Sequence, residues 1–98
     1  MAEITVQELH ERDGVTVIDV REPFEFEDGH VPGAANVPLQ TVPDAVDRLD
    51  PDETLYVICQ HGVRSERAAG YLESRGFDVV NVVGGTSAWS EAGLPLER

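Results

Sequence analysis

YVICQHGVRSERAAGYLESRG, residues 56–76, contains the only cysteine of the 98-residue chain. It opens inside an apolar run, Leu55–Cys59, which has the length and composition of a strand buried on both faces. Further on, Ala68, Ala69, Tyr71 and Leu72 fall on one side of a helix predicted over Ser65–Arg75, with Gly76 as its stop. A buried strand leading through a short loop into a helix is half of a βαβ unit and predicts a parallel sheet.

The flanking sequence repeats the pattern. Thr16–Val20 and Val79–Val83 read as interior strands, Ala35–Val37 as a short one closed by Pro38, and Ile4–Val6 as an edge strand. Between them, helices are predicted at Gln7–Glu11, within Arg21–Gly29 (with Pro23 in the first turn), at Pro43–Leu49, and around Thr86–Ala92. HVPG (30–33), DPDE (50–53) and Gly84-Gly85 punctuate them. The fold class is α/β, a central, mainly parallel five-stranded sheet flanked by helices on both faces. The length suits one domain, residues 1–98.

A formal charge of -12, with all seven basic residues arginines, argues against nucleic acid and anionic membranes as partners, since both require positive protein charge. No apolar run approaches the ~20 residues of a membrane span, and the acidic start MAEITVQELHERDG lacks the features of a secretory or transit signal. Cytoplasm is the expected location. One cysteine forms no internal disulfide and no multi-cysteine zinc site, and His10, His30 and His61 lack ligand spacing, so no metal site is expected.

Cys59 ends its predicted strand where open α/β sheets bind ligands. The residues after it, Gln60, His61, Gly62 and Val63, form a loop short enough to curl its amides inward as an anion nest, with Gly62 free to take a positive φ. The helix behind adds unpaired N–H groups and a positive dipole end, and Arg64 and Arg67 add formal charge. Such surroundings favour a thiolate over a thiol and suit a nucleophilic cysteine better than a space-filling one.

IDVREPFEFEDGHVPGAANVPL resembles the N-terminal signature of the rhodanese superfamily, and GGTSAWSEAGLP resembles its C-terminal signature. CQHGVRS, residues 59–65, is similar to the family's active-site loop. The resemblance implies a rhodanese-like sulfurtransferase that needs no metal or organic cofactor. In it the Cys59 thiolate takes a sulfane sulfur from thiosulfate or a persulfide, holds it as a persulfide among the amides of Gln60–Ser65, and passes it to cyanide or a thiol by a ping-pong scheme. A protein-to-protein persulfide relay, with a persulfide-carrying protein as partner, is the alternative. Phosphatases of related fold separate their cysteine and arginine by five residues. Here four residues separate Cys59 from Arg64, a tighter ring suited to one sulfur atom.

Arg64 is expected to pair with the donor's sulfonate, or else with Glu66 or Glu91 on the helix surface. Arg67 is a candidate rim residue that would otherwise pack or pair with an acid. Ser65 caps the helix or closes the ring. His61 is read as a loop-mouth residue. Asp19, Arg21, Glu22 and His30 are expected to form a polar network fixing the turn after a strand, with Arg21 as a second candidate for the rim. Trp89 should pack the last helix onto the sheet, and Phe24 and Phe26 should divide between core and pocket wall.

Overall fold

A computed structural model describes all 98 residues, Met1–Arg98. Five strands, β1 (Ala2–Ile4), β2 (Thr16–Asp19), β3 (Ala35–Asn36), β4 (Thr54–Ile58) and β5 (Asp78–Val82), form one sheet in the order β1-β5-β4-β2-β3. Every pairing is parallel, so the sheet is wholly rather than mainly so. Parallel neighbours require crossover connections, and the helices supply them. These are α1 (Val6–His10), α2 (Pro23–Asp28), α3 (Val42–Ala45), α4 (Val63–Ser74) and α5 (Gly85–Glu91).

The alternation of strand side chains sorts the core into two layers. Ile18, Val20, Leu55, Val57, Cys59 and Val79 face Val42 of α3 and Ala68, Ala69 and Leu72 of α4. Val17, Ile58 and Val82 turn the other way, onto Val6 and Leu9 of α1 and Trp89 of α5. Each of the larger aliphatic side chains contributes about 1.5–3 kcal/mol by leaving water. Trp89 packs as expected, and its indole N–H donates to Pro95 O at 2.7 Å.

Three expected elements differ. The first strand ends at Ile4, because Thr5 caps α1: its hydroxyl accepts from Glu8 N, and the Glu8 carboxylate accepts from Thr5 N. The helix predicted at Pro43–Leu49 is instead a 3-10 turn (Leu39–Thr41), the single α turn of α3, and a second 3-10 turn (Val46–Arg48). Pro43 lacks an N–H and the β-branched Thr41, Val42 and Val46 resist regular helix, so burial of Val42 holds the segment more than its hydrogen bonds do. Finally, α4 starts at Val63 rather than Ser65, since Gly62 takes the left-handed conformation (φ +107°) and its carbonyl accepts Glu66 N at 3.2 Å.

The strand order fixes where a site can form. From β2 the chain runs outward to β3, and from β4 it runs the opposite way to β5. Their carboxyl ends are level, with Asp19 beside Ile58. Connections leaving adjacent strands in opposite directions open a crevice between them. Cys59, Arg21 and α2 all follow the carboxyl ends of these two strands.

Candidate active site

The cysteine is held under its loop. Cys59 is 1% exposed, and Gly62 N–H donates to its sulfur at 3.0 Å. The thiol in turn donates to Ser65 Oγ at 3.3 Å, and the Ser65 hydroxyl donates to Gly62 O at 3.1 Å, closing a small ring. The amides of Gln60, His61, Val63, Arg64 and Ser65 find no acceptor within the chain. Five N–H groups without acceptors, in the loop and helix start that follow the cysteine, are the kind of donors an anion needs. His61 and Val63 stand exposed at the outside of the loop.

The loop is fixed from below by α5. Thr86 N donates to Cys59 O at 2.8 Å and Ser87 N to Gln60 O at 3.0 Å, so the first turn of α5 satisfies the two carbonyls that follow β4. This approach requires Gly85 (φ +60°), where a Cβ would come within 2.3 Å of Cys59 O. On the other side, Arg21 anchors the Gln60 side chain. It is 2% exposed and binds both oxygens of Asp19, Gly29 O at 2.8 Å and Gln60 Oε1 at 3.0 Å. Gln60 Nε2 continues the chain to Ser87 Oγ at 3.0 Å. Arg21 therefore lies beneath the loop and not at a rim. A buried guanidinium this fully paired serves to position its neighbours.

Arg64 has a partner that neither expected acid supplies. Its two terminal nitrogens bind the Glu25 carboxylate of α2 at 2.6 and 2.9 Å, a bidentate pair clamping α2 to the start of α4. Glu25 also accepts from Glu22 N at 3.0 Å, as the third residue of a capping box. Arg67 is exposed and lines a hollow of 210 Å³ with Leu39, Val42, Pro43 and Tyr71, on the α3 side of α4. His30 is buried, stacks on Phe26 with ring centroids 3.6 Å apart, and bonds Phe26 O through Nδ1. Phe24, expected in core or pocket wall, is instead 74% exposed. It points outward because α2 is held by its polar residues and by no buried side chain of its own.

Residues 4–92 match the family described as the Rhodanese-like domain. The chain belongs to the rhodanese family. Thiosulfate sulfurtransferase GlpE of Pseudomonas putida is 40% identical over 91 residues, 92% of this chain and 82% of that protein. GlpE of Shewanella oneidensis is 38% identical over 86 residues, 87% and 85% of the two chains. A rhodanese-related protein of Thermoplasma volcanium superposes with a TM-score of 0.95 at 36% identity, over 99% of this chain and 98% of that one. The protein is thus a rhodanese-like sulfurtransferase. No group of three or more His, Cys, Asp or Glu side chains gathers where a metal could bind, and no helix is long and apolar enough to cross a membrane.

The Arg64 guanidinium, followed by the Glu22 amide, holds the Glu25 carboxyl of this rhodanese-like domain down from 4.5 to about 2. A lowered folded-state value means stability that is fully present above pH 4.5 and lost as pH falls toward 2. Glu25→Gln should flatten that part of the acid denaturation curve, measured as urea midpoint against pH. Parallel curves for the two proteins would show that the ion pair has no role in acid stability.

Glu25, Gly85, Thr86 and Ser87 went unrecognised in the sequence. For Glu25 the local signal, an acid three residues after Glu22, reports only a helix cap. Choosing it as the partner of Arg64 from 19 acidic residues requires the fold. Gly84-Gly85 reads as punctuation, and a glycine demanded by a close approach looks the same as one demanded by a turn.

Proposed function

We propose that Cys59 accepts a sulfane sulfur from a small donor, thiosulfate or a persulfide, and delivers it to a thiol or to cyanide. What supports this most is the Cys59 sulfur bonded by Gly62 N–H at the head of a loop and helix start with five further amides that have no acceptor in the chain. The thiolate attacks the outer sulfur of thiosulfate, the S–S bond breaks, and sulfite leaves with the electron pair. Cys59–S–S⁻ remains, so the total charge of -3 is conserved. The new terminal sulfur carries its charge toward the amides of Gln60–Ser65, which stabilise it without a general base. The acceptor then attacks that same sulfur and Cys59 leaves as thiolate, a ping-pong cycle. The Ser65 hydroxyl, free to rotate, can turn its hydrogen to the ionised Cys59 sulfur between half-reactions.

The test is an intact mass. After incubation with thiosulfate and desalting, the protein should carry one added sulfur atom, and cyanide should remove it with release of one equivalent of thiocyanate. An unchanged mass, or sulfur still retained after Cys59 has been alkylated, would refute the reading.

Long-range charge opposes the donor. A chain of formal charge -12 repels an anion, and added salt screens that repulsion. For thiosulfate, kcat/KM should therefore rise severalfold between roughly 20 and 200 mM ionic strength, whereas an uncharged thiol acceptor should show no such rise. A fall with salt would mean that a local positive field outweighs the net charge.

A further inference from the structure

The arginine tied to the loop through Gln60 and the one that follows the loop are both already occupied. Arg21 binds Asp19 and Arg64 binds Glu25, each through two nitrogens. Neither pair carries net charge. Arg67, the next cation along α4, stands over the α3 hollow. The residues preceding Glu25 and Arg64 in the chain, Phe24 and Val63, bring no charge and are 74% and 71% exposed. What remains to attract an anion is the set of loop amides, matched to a charge on the transferred sulfur and not to a second one behind it.

We infer that the site selects sulfane-sulfur donors carrying one negative charge or none, with Glu25 as the residue that discriminates against dianions. The inference rests on the sulfur-carrier reading of Cys59 given above. A sulfonate entering behind its sulfane sulfur would need the Arg64 fork, whose terminal nitrogens are bound to a carboxylate that Glu22 N also holds. With its carboxyl held at about 2, Glu25 stays ionised throughout the neutral range and keeps the Arg64 fork from a sulfonate. A persulfide R–S–SH avoids the conflict. Cys59–S⁻ takes its outer sulfur, R–S⁻ leaves, and the total charge stays at -1.

Thiosulfate and methanethiosulfonate test this directly. Both present the same outer sulfur and leave as sulfite or methanesulfinate with the electron pair, but they differ by one unit of charge. Because intrinsic reactivities differ, the reading is the change on substitution. Glu25→Gln, whose amide oxygen can still accept from Glu22 N, should raise kcat/KM for thiosulfate about tenfold, mainly through KM, and that for methanethiosulfonate less than threefold. Adding Arg64→Ala should cancel the gain if the freed guanidinium is what binds the sulfonate. A thiosulfate rate that falls or stays constant in Glu25→Gln, an equal rise for both donors, or a gain that survives in the double variant would each overturn the inference. Should Glu25→Gln fold poorly, Glu25→Ala takes its place, and the same shift in the thiosulfate-to-methanethiosulfonate ratio is required of it. If neither donor adds sulfur to Cys59, the carrier reading itself has failed. If sulfur is loaded but the ratio does not respond, only the donor preference has.

Discussion

Cys59→Ser is expected to abolish sulfur transfer while leaving the fold intact. Serine keeps the hydrogen-bonding pattern of the site: Gly62 N can donate to Oγ where it now donates to sulfur, and the Ser65 hydroxyl remains in reach. The stability cost should be about 1 kcal/mol, the loss of a small buried contact. Chemistry suffers far more. An alkoxide is not available near neutral pH without a general base, the loop's one histidine, His61, stands exposed with no hydrogen bond to Cys59, and oxygen forms no stable analogue of the persulfide. Turnover should drop by at least ~10⁴-fold, to the background of the reagents. Steady-state thiocyanate formation, with circular dichroism and a thermal melt to verify folding, checks both halves. A serine variant retaining even a tenth of the activity would move the nucleophile elsewhere.

Gly85→Ala should do the reverse and damage the fold first. A Cβ at this position would lie 2.3 Å from Cys59 O, 2.6 Å from Gln60 O and 2.7 Å from Gln60 C, all backbone atoms that no rotamer change can move. The residue also sits at φ +60°, which costs an alanine roughly 1–2 kcal/mol by itself. Relief requires α5 to retreat, which breaks the Thr86 N to Cys59 O and Ser87 N to Gln60 O bonds and exposes two carbonyls. We expect a loss of about 3 kcal/mol or more in urea unfolding, and poor sulfur loading in whatever remains folded, because the loop rests on those bonds. Gly70→Ala provides the control. It lies exposed in α4, where an added methyl would meet nothing within 4 Å, so it should gain about 0.5–1 kcal/mol. Equal stabilities for the two alanine variants would contradict the close packing of α5 beneath the loop.

The readings that came through from sequence concern neighbours along the chain. Leu55–Cys59 is apolar because the strand is covered on both faces, and Ala68, Ala69 and Leu72 share the side of α4 that faces it. Helix starts were less legible. Gly62 could equally have lain in an open loop, and only its left-handed turn shows that Val63 and Arg64 are already helical. The predicted helix at Pro43–Leu49 failed for a related reason, since burial of Val42 sustains a segment whose own residues favour no regular structure.

By itself, the sequence determined that a cysteine follows a buried strand and precedes a helix, separated from it by a short glycine-bearing loop. Those features depend on residues within a few positions of one another, where propensity and periodicity act. The tertiary structure alone decided which groups surround that cysteine: Glu25, 39 positions from the Arg64 it neutralises, and the first turn of α5, whose Thr86 lies 27 positions from the carbonyl it binds. Such pairs are set by how the connections from β2, β4 and β5 converge at one end of the sheet, a matter of packing across the fold that no local stretch of chain encodes.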